Sequence, residues 1–540
     1  MKRSILMTVL AVTAITGLTK AQLPEAKKLF SYERYNSAAA NLRQTLEQTP
    51  NNAEAWFWLS RTQLAKDSLQ AAKESFGRIP QEIKNDPYIL VTQGALQLQE
   101  GDSTAAAASF AAAIGNGRKK NPAIQEAVGR AILDAPKGNL QEAINILQTA
   151  AEKDKKNPEV FIAIGDAYRK LYNGSEAARA YQAAIDVDAS SAAAYYKLGK
   201  IYQTQNNADV FVEYYNKALA ADANFAPVYY QLYFYNYFRD VNKANEYLQQ
   251  YIAKTDADIK NEYLLTDLYY VSQKFNEAIA AANHVIATEG NAVKPRIYKL
   301  QAYSYEGLGN YTDAEASLKK YFSAENDTNY VAKDFDLMGK IAEKSNRPEE
   351  AVTWYEKAYN MEKDSAMKID YTKKMYAFYK AQKDYSKQAY WIGQQYALHA
   401  PMSNVDLFNW GVAYYNAKDY DMADSVFTMY SDKYPEQTYG YYWRARSNAA
   451  IDTAMTEGLA IPHYEHLIDV AEKDTANANN KKWLIEAYGY LAAYKVNQEK
   501  LYKDALDYYD RILTLDPGNN DAEKYKTILE KMINAPKDNN

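Results

Sequence analysis

The chain has 540 residues, which is too many for one ordinary hydrophobic core, so several domains or an elongated repeat array are expected. Its formal net charge is −5 at pH 7 and it has no long basic run, which argues against nucleic acid as a partner. The sequence contains no Cys, which excludes a disulfide scaffold, a thiolate metal site, a Cys nucleophile and a lipidated N-terminal Cys.

The N-terminal segment has the order of features that is typical of a signal peptide. Two basic residues near the start precede an apolar run, residues 5–18, and the small or neutral residues Thr19 and Ala21 follow. We expect residues 1–21 to be removed after Ala21, so that the mature chain is exported and not lipidated. The alternative is an uncleaved anchor, but the apolar run is shorter than the ~20 residues that a membrane span needs.

Two neighbouring segments, residues 158–188 and 192–222, match each other at a constant offset of 34 residues. The shared positions are a small residue, a Tyr three residues later, a further aromatic residue and then an Ala: Gly165 and Gly199, Tyr168 and Tyr202, Tyr181 and Tyr215, Ala184 and Ala218. This pattern resembles the tetratricopeptide repeat, a helix pair in which small residues allow close approach and large residues fill the spaces between repeats.

The same phase continues along nearly the whole chain, from residue 22 to residue 519, as about fourteen consecutive units. Residues 520–540 then contain an amphipathic helix, expected to cover the open end of the array, and a short tail. The resemblance implies an all-α, right-handed α-solenoid in which helix A of each repeat lines the concave surface and helix B the convex one. No stretch of domain size lies outside the repeats.

One repeat departs from the pattern. In the run "VYYQLYFYNYF", residues 228–238, Tyr233 stands where the two preceding repeats have Gly165 and Gly199. Because a Tyr side chain does not allow the close approach that Gly allows, we predict a locally widened helix pair at this repeat.

Motifs that carry catalysis are absent from the sequence. It has no phosphate-binding GxxxxGK[ST] and no GxSxG nucleophile elbow. The "HYEH" at 463–466 has a spacing that could hold a metal, but Tyr464 occupies the inward aromatic position of its repeat and a third ligand is not evident. We therefore predict no enzymatic activity, no metal site and no cofactor.

Candidate binding residues lie at the positions of helix A that face the groove in this family. The sequence is rich in Tyr, with 51 Tyr against 15 Phe, and Tyr suits a surface that is partly packed and partly wet. The alternative is that these rings only fill gaps between neighbouring A helices. The candidate groove residues are Tyr196, Lys200, Tyr230, Phe234, Tyr237, Phe238, Tyr263, Tyr270, Phe408, Tyr415 and Tyr442.

The resemblance implies a non-enzymatic scaffold that binds protein or peptide partners in its groove. The signal-like N-terminus places it in a bacterial cell envelope, in the periplasm, and the composition is similar to that of Bacteroidetes proteins. Peripheral association with a complex of the outer or inner membrane is compatible with this prediction. The alternative is a glycan-binding envelope protein similar to the SusD type, although such proteins usually carry a lipidated Cys and long insertions.

Overall fold

The computed structural model describes residues 22–116 and 121–534. The predicted signal peptide, residues 1–21, and the tail after residue 534 lie outside the described residues. The described residues are helical and contain no strand. None of the helices in this part of the chain is long and apolar enough to cross a membrane.

The helices are numbered here in chain order. They are α1 (residues 22–31), α2 (Tyr35–Gln48), α3 (Ala53–Ala65), α4 (Leu69–Gly77), α5 (Pro87–Glu100), α6 (Ser103–Asn116), α7 (Pro122–Asp134), α8 (Leu140–Lys153), α9 (Pro158–Lys170), α10 (Gly174–Val187), α11 (Ala192–Thr204), α12 (Ala208–Ala221), α13 (Ala226–Asn236), α14 (Val241–Lys254), α15 (Ile259–Val271), α16 (Phe275–Glu289), α17 (Arg296–Gly307), α18 (Tyr311–Ala324), α19 (Ala332–Lys344), α20 (Pro348–Met361), α21 (Ser365–Ala381), α22 (Tyr385–Ala397), α23 (Asn404–Asn416), α24 (Tyr420–Lys433), α25 (Thr438–Ile451), α26 (Ile461–Ala471), α27 (Ala478–Tyr494), α28 (Tyr502–Leu515) and α29 (Asn520–Asn534). Short 3₁₀ or π segments lie at Gln81–Ile83, Gly290–Ala292, Asp327–Asn329, Glu472–Asp474 and Lys495–Glu499.

The helices α1 to α28 form fourteen consecutive pairs, in which odd-numbered helices are helix A and even-numbered helices are helix B. The last helix, α29, adds Ala522 and Leu529 to the core of the final pair. The predicted all-α array of about fourteen helix pairs with a C-terminal helix is therefore confirmed. The chain divides into two compact units, one ending at Leu300 (unit 1) and one beginning at Gln301 (unit 2).

The turn between helix A and helix B has a recurring local geometry. In the fifth pair, Tyr172 adopts a left-handed backbone with φ of 58°, and the side chain of Asn173 accepts a hydrogen bond from the backbone N–H of Glu176 at the start of helix B. The left-handed residue ends helix A, and the Asn side chain satisfies a backbone donor that helix B leaves unpaired. The same left-handed position occurs in other pairs, at Glu33, Asp67, Gly101, Asn206, Gln273, Gly309, Asn346, Lys383 and Lys418.

Close packing within five of the helix pairs depends on a Gly of helix A and a ring of helix B. A Cβ atom added to Gly165 would lie 2.4 Å from Cε1 of Tyr181, a distance that real Cβ atoms do not show. The Tyr181 ring is fully buried, and its hydroxyl donates to Asp166 Oδ1 at 2.7 Å. The same contact between Gly and an aromatic ring recurs in four further pairs: Gly94 with Phe110, Gly199 with Tyr215, Gly339 with Tyr355, and Gly411 with Phe427.

The seventh pair, α13 and α14, reverses this arrangement. Tyr233 of helix A is only 2% exposed, and the core that it joins contains Leu248 of helix B, which is also buried. The large ring therefore comes from helix A, and an aliphatic residue stands on helix B where the five pairs described above have an aromatic one. This exchange of large and small residues accommodates the Tyr233 ring. The widening of this helix pair stays a prediction.

Candidate functional site

The A helices of unit 1 enclose a cavity of about 790 Å³, here called cavity 1. Its walls come mainly from α1, α3, α5, α7, α9 and α11, which are successive A helices. Aromatic side chains such as Phe30, Trp58 and Tyr196 line it together with charged side chains such as Arg61 and Lys197. The inner surface expected from the repeat pattern is thus present as a real concavity.

Ion pairs across cavity 1 join neighbouring repeats. Arg130 of α7 is 6% exposed, and its Nε donates to Glu126 Oε1 at 2.7 Å. Its Nη2 reaches α9, where it donates to the backbone oxygen of Glu159 at 2.7 Å and to Oε2 of the same residue at 3.0 Å. Burial alone would lower the pKa of Arg130, but Glu126 and Glu159 outweigh it and raise that pKa above its ordinary value. The cavity wall at this position is therefore a charged surface whose ion pairs join two repeats.

Two further ion pairs join repeats of unit 1, one between the second and fourth helix pairs and one between the fifth and sixth. Arg61 of α3 donates to Asp134 of α7 at 2.7 Å, and Lys197 of α11 donates to Asp166 of α9 at 2.9 Å. Burial tends to raise the pKa of Asp166, but Lys197 and the Tyr181 hydroxyl outweigh it and lower the pKa. The carboxylates of Asp134 and Asp166 are therefore already paired with cations of the chain itself.

A second cavity of about 490 Å³, cavity 2, lies further along the inner surface of unit 1. Three of the candidate groove residues, Tyr196, Tyr230 and Tyr263, line it together. The Tyr230 ring contacts the Tyr251 ring with centroids 5.4 Å apart, and the Tyr263 hydroxyl accepts a hydrogen bond from the backbone N–H of Lys294 at 2.9 Å. Repeat register therefore brings residues from three successive A helices to one site.

The remaining candidates of this region are placed in different environments. Phe234 is 64% exposed on α13. Because α13 ends at Asn236, Tyr237 and Phe238 lie in the turn that follows, and Phe238 is 87% exposed. Half-buried Tyr270 contacts the ring of Phe275. Within the aromatic run, Tyr230 thus lines cavity 2, Tyr233 is buried in the core, and Phe234 and Phe238 are open to solvent.

The candidates in unit 2 form a packed cluster. Phe408 and Tyr415 are half-buried and contact the Trp443 ring with centroids 6.3 and 4.9 Å away. Tyr442 is 4% exposed and stacks on Trp483 with centroids 4.5 Å apart. The contacts of Tyr442 are thus largely within the chain, as the gap-filling alternative predicts.

The structure also contains a feature that sequence reasoning missed, here called the N-terminal latch, residues 28–37. The Tyr32 hydroxyl donates to Asp222, which follows α12, and the Tyr32 ring packs edge-on against Phe225 with centroids 5.6 Å apart. Lys28 forms an ion pair with Asp222 at 3.3 Å. The first repeat is therefore fastened to the sixth and seventh.

A second set of latch contacts gives α2 its N-terminal cap. The cap residue Arg34 makes no side-chain capping bond. Instead Oδ2 of Asp256, which follows α14, accepts the backbone N–H groups of Asn36 at 2.7 Å and Ser37 at 3.1 Å, and Arg34 Nε lies 3.4 Å from Oδ1. A carboxylate more than 200 residues away thus satisfies the unpaired donors of this helix end.

Replacing Asp256 by Ala is expected to loosen the start of α2, because its N–H groups lose their acceptor. The expected cost is about 1–2 kcal/mol, with faster hydrogen exchange at Asn36 and Ser37. The matched control is Asp240→Ala, which removes the local cap of α14 and should speed exchange only there. Unchanged exchange at the start of α2 in Asp256→Ala would contradict the capping role.

The latch should also depend on pH. Burial tends to raise the pKa of Asp256, but hydrogen bonds from Ser37 and Asn36 outweigh it and hold the pKa below its ordinary value. A carboxyl with a depressed pKa stabilises the folded state above the unfolded-state pKa of about 3.9, and the contribution is lost as pH falls through the folded-state value. The protection factor of the Asn36 amide, which corrects for the intrinsic pH dependence of exchange, should therefore fall on acidification in the wild type and change less in Asp256→Ala.

The His pair of α26, His463 and His466, belongs to unit 2. Burial, and secondarily the charge of Arg444, lower the pKa of His463 below its ordinary value. Within the part of the chain that the structure describes, no three or more His, Asp or Glu side chains are grouped so that they could hold a metal ion.

Family comparisons agree with the helix pairs. Tetratricopeptide repeat models match residues 29–93, 91–158, 192–225 and 336–365, and a TPR repeat model matches residues 174–206. Together with the fourteen helix pairs and the recurring contact between Gly and ring, these matches place the chain in the tetratricopeptide repeat family. A comparison with curated proteins finds no match.

Several solved structures are similar to parts of the chain. The C-terminal part of a TPR repeat-containing protein from Cytophaga hutchinsonii is 30% identical over 48% of this chain and 98% of that one, with a TM-score of 0.29. A tetratricopeptide repeat protein from Parabacteroides merdae is 18% identical over 53% and 98%, with a TM-score of 0.24. The protein pilF from Pseudomonas aeruginosa is 19% identical over 41% and 98%, with a TM-score of 0.33.

Proposed function

We propose that the chain is a non-enzymatic scaffold that binds segments of partner proteins along the inner surface of unit 1. The observation that supports this proposal most directly is the pair of cavities, of about 790 and 490 Å³, lined by consecutive A helices. Concavities of this size accommodate several side chains of a peptide. Tyr and Phe rings provide a large contact area at a small cost in conformational entropy, so they suit an extended or helical peptide.

We also propose that the scaffold acts in the periplasm of a bacterial envelope. This part of the proposal is supported by the basic, apolar and small-residue order of residues 1–21. N-terminal sequencing of the chain recovered from the producing cell tests it directly. A mature N-terminus at Gln22 is expected, and a full-length chain in the cytoplasm would contradict export.

Combined replacement of Tyr230, Phe234 and Tyr237 by Ala is expected to reduce peptide binding in unit 1. These rings offer partly or largely exposed surface, and loss of a binding anchor costs an interface more than about 1 kcal/mol, or about fivefold in affinity. Peptides selected from a random display library on the wild-type chain should bind the triple variant at least about tenfold more weakly. Affinities are measured by fluorescence polarisation.

The matched control is Tyr172→Ala. Tyr172 is 98% exposed in the turn between α9 and α10 and does not line either cavity, so its loss should leave peptide affinity unchanged. Undiminished binding of every selected peptide by the folded triple variant would contradict the groove assignment. A glycan that binds the wild type and not the triple variant, in the absence of selectable peptides, would favour the glycan-binding alternative, since sugar rings also stack on aromatic faces.

A further inference from the structure

The charges around cavity 2 differ in sign from the charge of the whole chain. Lys260, Lys294 and Arg296 line the cavity, and Glu33 is the only carboxylate among the lining residues. Lys200 lies beside it, with Nζ 3.3 Å from Oε1 of the lining residue Gln231. A chain of net charge −5 therefore presents a basic inner surface at this position.

The basic side chains around cavity 2 differ in whether they are paired with a carboxylate. Arg296 is paired with Asp267. Within the described residues, Lys200, Lys260 and Lys294 form no ion pair with a carboxylate, and the Lys294 ammonium lies over the Tyr263 ring at 5.6 Å. Burial, together with the neighbouring charges of Arg169 and Lys197, lowers the pKa of Lys200. These lysines would each gain a partner if a ligand supplied carboxylates.

Glu33 is an acidic side chain of the protein itself that lies at this basic surface. It belongs to the N-terminal latch and lines both cavities, where Lys197 and Lys200 act on its carboxyl. Burial penalises its charged form more than these lysines favour it, so its pKa is raised. The chain thus places one acidic side chain of its own at the edge of a basic, Tyr-lined cavity.

We propose that cavity 2 binds a short acidic segment of a partner protein, with its carboxylates near Lys200, Lys260 and Lys294 and its apolar atoms against the half-buried ring of Tyr230, beside the largely buried Tyr196 and Tyr263. This inference rests on the proposed peptide-binding function and specifies its partner. Glu33 competes with the partner's carboxylates for Lys200.

A short acidic peptide fits these charges better than a long polyanion such as nucleic acid. The basic surface is confined to one cavity of about 490 Å³. Beyond it, the acidic and basic side chains of cavity 1 pair with one another, as Glu126 does with Arg130 and Asp166 with Lys197, so that cavity offers few cations to further phosphates. A few consecutive acidic residues therefore satisfy the lysines of cavity 2 without needing cations beyond it.

Binding of two labelled peptides tests the proposal. One contains three Glu residues between two Tyr residues, and the other has Gln in place of each Glu. The Glu peptide is expected to bind at least about tenfold more tightly at low salt, and added salt should reduce the difference because it screens exposed charges. The variant Lys260→Gln with Lys294→Gln should remove the preference, with folding checked by circular dichroism.

Two further variants separate local from general charge effects. Lys155→Gln with Lys156→Gln makes the same change of charge at an exposed turn before α9 and should keep the preference for Glu. Glu33→Gln should tighten binding of the Glu peptide and leave the Gln peptide unchanged, because it removes the competing carboxyl.

The outcomes distinguish this inference from the proposed function on which it rests. Equal affinities for the Glu and Gln peptides, or a preference that survives in Lys260→Gln with Lys294→Gln, would overturn the acidic specificity while peptide binding itself stands. Tighter binding of a single-stranded oligonucleotide than of the Glu peptide would overturn the peptide assignment of cavity 2. Failure of both these peptides and all selected peptides to bind would overturn the proposed function as well.

Discussion

Replacement of Arg130 by Ala is expected to destabilise unit 1 by about 3–5 kcal/mol, the typical cost of removing one partner of a buried ion pair. Arg130 is 6% exposed and satisfies Glu126 and both the carboxylate and the backbone oxygen of Glu159. Its loss leaves the half-buried Glu126 without its cation and removes the hydrogen bonds from α7 to Glu159 of α9. The free energy of local unfolding is measured by the denaturant dependence of hydrogen exchange in these helices.

The matched control for this prediction is Arg179→Ala. Arg179 also pairs with a Glu of its own helix, Glu176, but its side chain is 76% exposed. Exposed ion pairs contribute little to stability, so hydrogen exchange in α10 should change very little. If Arg130→Ala and Arg179→Ala have equal effects, the pairing of Arg130 does not hold the two repeats together. Arg130→Lys should recover only part of the loss, because a single ammonium does not match the fork geometry of Arg.

Replacement of Gly339 by Ala is expected to destabilise unit 2 by about 1–3 kcal/mol, as overpacking does in a filled core. The new Cβ would lie 2.5 Å from Cε1 of Tyr355. The Tyr355 ring cannot easily move, because it is 3% exposed and its hydroxyl donates to Glu343 at 2.8 Å. The two helices must therefore separate. Thermal unfolding followed by circular dichroism measures the change.

Gly489→Ala is the control in the same unit and should have the opposite sign. Gly489 lies inside α27, and a Cβ there meets no heavy atom within 4 Å. Ala is favoured over Gly in a helix interior by roughly 0.5–1 kcal/mol, so this variant should be more stable than the wild type. Equal and small effects of Gly339→Ala and Gly489→Ala would show that the contact between Gly339 and Tyr355 does not set the helix spacing.

A compensating change tests the same contact in another way. At the corresponding positions of the ninth pair, the chain has buried Ala302 and Leu318 instead of Gly and Tyr. Adding Tyr355→Leu to Gly339→Ala should therefore recover part of the lost stability, since the smaller side chain leaves room for the Cβ atom. No recovery would point to a cause other than the clash with the ring.

The helix pairs could be predicted from the sequence because their signals are local. The spacing from Gly165 to Tyr181, and Asn173 between them, fixes one helix pair, its close contact and its turn. Because these signals recur about every 34 residues, one repeat that departs from the pattern does not change where the other helix pairs are predicted. The same register brings Tyr196, Tyr230 and Tyr263 to one cavity.

The N-terminal latch could not be predicted in this way. Its contacts depend on the small rotation between successive repeats, summed over six of them, and a single sequence does not specify that sum. No local pattern distinguishes Asp222 and Asp256 from the many other acidic residues in turns. Only the accumulated curvature of unit 1 brings them to Tyr32 and Ser37.

The surroundings of a side chain at a given position of the repeat also could not be predicted from the sequence. Tyr263 and Tyr442 both occupy groove positions, yet Tyr263 lines cavity 2 and Tyr442 stacks on Trp483. The difference arises from the neighbouring repeat, which supplies a large ring at Trp483. Likewise Tyr237 lies beyond the end of α13, because that helix ends at Asn236, earlier than the repeat pattern suggests.

Photo-crosslinking from the inner surface tests binding in unit 1 most directly. Benzoylphenylalanine is placed at Tyr230, which lines cavity 2, or at Tyr172, which is 98% exposed away from both cavities. The bound partner is a peptide selected on the wild-type chain. Binding in the groove predicts a crosslinked product from position 230 and none from position 172. Equal yields from both positions, or product from position 172 alone, would contradict it.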